Sequence, residues 1–155
     1  MLIGLISDTH GRLRPEVFRH FEGVDRILHA GDIGDLEILV ELEALAPVTA
    51  VWGNTDGFDV RARVPEFAWL ELEGSRLLVL HGHQLGSPEP ARLRAAHPDA
   101  GIIVYGHTHK ALVDEADGRL VVNPGAAGPA RFGVRPSVAL LTLTPSAATV
   151  RLVEL

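Results

Sequence analysis

Leu2-Ile3-Gly4-Leu5-Ile6-Ser7-Asp8-Thr9-His10-Gly11 is the stretch that decides the fold: an apolar run that stops abruptly in a polar turn. A strand buried in a sheet reads this way where it leaves the core. The pattern returns twice. Val24 to Ala30 runs into Gly31-Asp32, and Val48 to Trp52 runs into Gly53-Asn54-Thr55-Asp56. Between these runs lie two helical segments. One covers Pro15 to Phe21; the other is capped by Asp35 and repeats Leu36, Leu39, Leu42 and Leu45 at helical spacing. Strands alternating with helices predict three parallel strands.

After Pro65 the rhythm changes to hairpins. Ala68 to Glu73 and Arg76 to His81 flank Gly74-Ser75, expected as a two-residue turn, and Asp117-Gly118 joins Val113–Ala116 to Arg119–Val122 in the same manner. Ser137–Thr144 and Ala148–Val153 form a last pair around Pro145-Ser146. A helix over Pro88–His97 and a strand over Ile102–Tyr105 separate these hairpins. The expected fold is α/β, with two mixed β-sheets packed as a sandwich flanked by helices, in a single domain spanning 1–155.

The 155 residues are 46% hydrophobic and 22% charged, a globular composition. No apolar run approaches the roughly 20 residues a membrane helix needs, and Asp8 follows too short a stretch for a signal sequence, so a cytoplasmic location and no membrane partner are expected. The net charge of -6 argues against generic nucleic-acid binding. The absence of cysteine excludes thiolate chemistry and leaves His and carboxylates as metal ligands.

Such groups stand where the strands end: Asp8 and His10, Asp32, Asn54, His81, then His107 and His109. In α/β sheets ligands collect beyond the carboxyl ends of strands, so residues distant in sequence can converge there. Taken alone, Gly31-Asp32 and Gly53-Asn54 fit ordinary turn chemistry, and His81 fits a hydrogen-bonded core residue. His107-Thr108-His109 says more, because two imidazoles two residues apart just past a strand have little packing value.

In order, the blocks SDTHG, GD, GN, HGH and GHTH resemble the calcineurin-like metallophosphoesterase superfamily, and NPG at 123–125 narrows the resemblance to its small YfcE-type phosphodiesterases. The resemblance covers nearly the whole chain and implies the same sandwich fold. It also implies two divalent metal ions per chain, manganese first, with iron, nickel or zinc as alternatives. Asp8, His10 and His109 would hold one ion, Asn54, His81 and His107 the other, and Asp32 would bridge them. Hydrolysis of a small phosphodiester by a metal-bridging hydroxide follows, with Asp32, Asn54 and His10 as the catalytic residues. A homodimer is the implied assembly.

Other positions are less determined. Arg12 and Arg131 are candidate substrate-binding residues, as Arg suits phosphate. His83 is expected to orient a ligand or to make a structural hydrogen bond, whereas His20, His29 and His97 read as structural or solvated. Asn123, Pro124 and Gly125 are expected to shape a loop beside the site. The chain departs from many superfamily members by carrying Thr55 where they place a His, and Ala126 where relatives often have Ser. A phosphomonoesterase, or a protein-binding scaffold resembling the retromer subunit of this fold, are the alternatives.

Overall fold

The computed structural model describes residues 1–131 and 133–155. Strands β1 (Leu2–Ile6), β2 (Arg26–His29) and β3 (Val48–Ala50) are parallel, as the sequence predicts, and β9 (Ser137–Leu143) and β10 (Ala148–Glu154) extend them antiparallel into a sheet of order β10-β9-β1-β2-β3. The second sheet, order β4-β5-β6-β8-β7, comprises β4 (Phe67–Leu72), β5 (Ser75–Leu80), β6 (Ile102–Val104), β7 (Leu112–Ala116) and β8 (Arg119–Asn123). Here β5, β6 and β8 are mutually parallel while β4 and β7 are antiparallel edges, so both sheets are mixed.

The sheets pack face to face through Ile3, Leu5, Leu28, Leu77, Val79, Val104, Val122 and Leu141. Full burial of such a side chain contributes about 1.5–3 kcal/mol, so this layer holds the sandwich together. Helices α1 (Pro15–His20) and α2 (Leu36–Glu43) cover the outer face of the first sheet with Val17, Ile38, Leu39 and Leu42. Asp35 caps α2 as expected, accepting from the Glu37 N–H at 3.0 Å. Helix α4 (Pro90–Ala96) covers the second sheet through Leu93, above Leu78, Leu80, Ile103 and Tyr105.

Two readings are corrected. The β4–β5 turn is Glu73-Gly74, one residue earlier than expected, because Leu72 pairs with Ser75. Both turn residues have positive φ, 51° and 78°, the geometry that matches strand twist in a two-residue hairpin. A helix absent from the sequence reading, α3 (Phe58–Arg63), follows the third strand-end loop. It buries only Val60, so its six residues carry no apolar periodicity to read.

Parallel pairing puts the carboxyl ends of β1, β2 and β3 at one edge of the sandwich and those of β5, β6 and β8 together on the other sheet. The Asp8 carboxylate accepting from the His107 N–H at 3.1 Å joins the two edges.

Candidate metal centre

Asp8 lies at the middle of this edge, fully buried. Its Oδ2 accepts from Ser7 Oγ at 2.6 Å and from the His107 N–H, which leaves Oδ1 facing His109 Nε2 at 3.2 Å, His10 Nε2 at 3.7 Å and His81 Nε2 at 3.8 Å. Asp32 divides its oxygens likewise. Oδ1 accepts from the Thr55 N–H at 2.9 Å, and Oδ2 faces His81 Nε2 at 3.2 Å and His10 Nε2 at 3.8 Å. One oxygen of each carboxylate is thus spent on orientation and the other turned to the centre.

The His81 ring is fixed by its far nitrogen: Nδ1–H donates to the Ala30 carbonyl at 2.7 Å, so Nε2 is the atom presented to the carboxylates. Asp8 Oδ1, His10 Nε2 and His81 Nε2 are all buried and make no hydrogen bond among the described residues. Buried polar atoms are costly to leave unpaired, so their convergence calls for a partner. Ligands about 2.0–2.2 Å from one cation stand roughly 3.0–3.5 Å apart, close to these separations. Among the described residues two groups have ligand atoms close enough to share an ion, Asp8–His10–His109 and Asp8–Asp32–His81. The donor set therefore fits divalent metal.

Backbone conformation marks the same residues. Among the described residues seven non-glycine positions have positive φ; Glu73 and Asp117 are hairpin turns, and the other five are Asp8, His10, Asp32, His107 and His109. Such a conformation costs of order 1–3 kcal/mol per residue and persists where surroundings impose it, commonly at functional sites. Close approach between loops explains two glycines. A Cβ on Gly53 would run into Asp32 Oδ1, and one on Gly106 into Ser7 Oγ and Asp8 Oδ2.

Protonation follows from these contacts. Burial works to raise the Asp8 pKa, but the facing His109, the His81 charge and the Ser7 hydroxyl outweigh it and hold the carboxyl below its ordinary value. Asp32 is held below its ordinary value as well, as His81 and the Thr55 N–H overcome burial. Burial pushes His10 and His107 down, toward the neutral form that binds metal, whereas the facing carboxylates outweigh burial at His81 and raise it.

The remaining candidates spread outward. His107 is half-buried, with its ring centroid 5.1 Å from that of His81, and falls outside both ligand groups. Asn54 is exposed in the loop after Val51, its carbonyl accepting from Arg61 Nη2 at 3.4 Å. Arg12 is exposed beyond the first loop, its N–H closing a turn on the Thr9 carbonyl. Arg131 is exposed too, yet its charge reaches His10 and lowers that residue's pKa. The His83 ring is tilted against its neighbours, its centroid 5.6 Å from Trp52 and 5.5 Å from His81. His20 and His97 are half-buried, and the His97 ring lies 6.0 Å from Phe67.

Supporting residues that the sequence places only as structural or as loop-shaping acquire specific contacts here. His29 is fully buried beneath the first two loops, its Nδ1 accepting from the Gly31 N–H at 3.2 Å and its Nε2–H donating to Thr9 Oγ1 at 3.0 Å. Burial lowers its pKa to about 4. Asn123 does more than shape a loop: Nδ2 donates to the Gly106 carbonyl and to Thr108 Oγ1, both at 3.0 Å, while Oδ1 accepts from the Gly125 N–H at 2.9 Å. It thereby fastens the loop carrying His107 and His109. Beside Ala126, the Ser137 hydroxyl donates to the Pro124 carbonyl at 2.7 Å, steadying the turn from the next strand.

Known proteins resemble this chain in sequence and fold. The family model of the calcineurin-like phosphoesterase superfamily domain matches residues 1–146. A probable metallophosphoesterase of Methanothermobacter thermautotrophicus is 36% identical over 150 residues, spanning 92% of this chain and 86% of that protein. A phosphodiesterase of Methanocaldococcus jannaschii is 32% identical over 142 residues, spanning 81% of this chain and 83% of its own length. The structure of Vps29 from Entamoeba histolytica in complex with zinc superposes with a TM-score of 0.82 at 26% identity, over 99% of both chains. By its sequence, its two-sheet sandwich and its cluster of buried carboxylates and imidazoles, this chain belongs to the calcineurin-like phosphoesterase superfamily.

Proposed function

We propose that this chain is a metal-dependent phosphodiesterase that hydrolyses small phosphodiesters at a centre of two divalent ions. The observation that carries the proposal is the convergence of Asp8 Oδ1, His10 Nε2 and His81 Nε2, buried and without hydrogen bonds among the described residues, at the edge where the strands end. Asp8, His10 and His109 would hold one ion and Asn54, His81 and His107 the other, with Asp32 shared. Bound there, such ions supply Lewis acidity at the phosphoryl oxygens and lower the pKa of water. Manganese is the expected ion, with iron, nickel or zinc able to use the same ligands.

The chain's own groups do the rest. Ser7 and the His107 N–H fix the Asp8 carboxylate, the Thr55 N–H fixes Asp32, and the Ala30 carbonyl fixes His81, so little reorganisation is needed when charge develops. Arg131, whose charge contributes to the lowered His10 pKa behind burial, would meet a substrate phosphate, and Arg12 at the neighbouring loop is the second candidate. The phosphodiesterase name of the Methanocaldococcus jannaschii relative favours a diester over a monoester.

Assaying metal-stripped protein on an aryl phosphodiester and an aryl phosphomonoester, before and after adding manganese, tests the proposal. Turnover should appear only with metal and be faster on the diester. Faster monoester cleavage would replace the substrate class, and no metal-dependent turnover would favour the protein-binding reading, for which the similarity to Vps29 stands.

A further inference from the structure

Asp56 is buried, 4% exposed, and its carboxylate takes part in no ion pair among the described residues. It is satisfied by backbone alone. Oδ2 accepts from the Gly53 N–H at 2.8 Å and the Ile33 N–H at 3.1 Å, and Oδ1 accepts from the Gly34 N–H at 2.9 Å. Gly53 precedes Asn54, while Ile33 and Gly34 follow Asp32. One carboxylate therefore ties together the two loops that carry these residues. Arg61 latches the same loop from outside: Nε donates to the Asp56 carbonyl at 2.7 Å, Nη2 to the Asn54 carbonyl at 3.4 Å, and the guanidinium lies 4.2 Å from the centroid of the Trp52 ring.

The two loops depend on this clamp unequally. The Asp32 loop has anchors of its own, because Asp8 N–H donates to the Gly31 carbonyl, His10 N–H to the Asp32 carbonyl and Gly11 N–H to the Ile33 carbonyl, at 2.8–2.9 Å. The Asn54 loop is tied to the centre through Thr55 N–H on Asp32 Oδ1 and through Asp56. We propose that Asp56, latched by Arg61, is a positioning residue that sets Asn54 against Asp32 and so determines how tightly the second of the two metals is held. This rests on the dinuclear reading above. In Asp56→Asn the amide nitrogen must face an N–H donor, which opens one side of the clamp while keeping the size of the side chain.

Calorimetric titration of manganese into metal-stripped parent, Asp56→Asn and Arg61→Ala decides the matter. The parent should bind two ions. Asp56→Asn should bind the weaker ion about thirtyfold less tightly, within the usual range for groups that orient metal ligands, and the tighter ion within about threefold of the parent. Arg61 is surface-exposed, so Arg61→Ala keeps the test open should Asp56→Asn not fold; it should loosen the weaker ion about threefold to tenfold and leave the tighter one unmoved. A merely structural role would weaken both ions together, and that outcome, or two unchanged affinities, overturns the proposal. A parent that binds fewer than two ions overturns the dinuclear reading instead, and this inference with it.

Discussion

The two sides of the centre are built differently. Around Asp8, His10 and His109 the side chains are 0–12% exposed, the carboxylate is hydrogen-bonded on its far oxygen, and a buried histidine lies beneath. On the other side His81 is buried too, but around Asn54 and His107 the site is open: Asn54 is exposed, His107 half-buried, and the loop relies on Asp56 and Arg61 for its place. A buried ligand set arrives with most of its ordering cost met by folding, whereas an open one must be ordered when the ion binds. The buried side should retain its ion and the open side should exchange it.

The largest effect should come from Asp32, the residue proposed to serve both sides. Asp32→Asn is expected to weaken both metals and lower turnover about a thousandfold or more, equivalent to roughly 4 kcal/mol at the transition state. Unchanged turnover would remove the bridging assignment. Separating the sides comes next. Asn54→Ala should lose about a hundredfold at limiting metal and recover in part at high metal, whereas Asp8→Asn should not recover. Equal recovery in the two variants would erase the distinction between a closed and an open side.

A smaller effect concerns the foundation of the buried side. His29 has its pKa lowered to about 4 by burial, while an unfolded histidine titrates near 6.5. Below pH 6.5 the unfolded chain therefore takes up a proton that the folded chain refuses. The stability present above that pH is lost as pH falls toward 4, by up to about 1.4 kcal/mol per pH unit and about 3 kcal/mol in all. Urea unfolding of metal-stripped protein at pH 5, 6 and 7 measures this. His29→Asn, which keeps an acceptor for the Gly31 N–H, should flatten the slope by that amount; equal slopes would show that His29 does not carry it. Away from both sides, His20→Ala should leave turnover within about twofold of the parent, and a larger loss would mean the centre extends beyond the strand-end loops.

The strand-end loops were legible in the sequence because buried parallel strands read as continuous apolar runs, so the polar residues that stop them stand out. Leu2–Ile6 before Ser7-Asp8, and Ile102–Val104 before the GHTH block, show this plainly. The supports were not legible. Asp56 sits in Gly53-Asn54-Thr55-Asp56-Gly57, a string that reads as turn chemistry, and its three partners are backbone N–H groups, two of them more than 20 residues away. His29 looked like any histidine in a strand until the first and second loops closed over it.

Alone, then, the sequence determined the order of the strands and of three of the four α-helices, the two mixed sheets and the identity of the residues at the strand ends, because hydrophobic periodicity and turn chemistry are local properties. Tertiary structure decided which oxygen of Asp8 and Asp32 faces the centre, which nitrogen of His81 is presented, and how the buried side differs from the open one. Those choices depend on hydrogen bonds between loops brought together only when the two sheets pack, and no pattern along the chain encodes them.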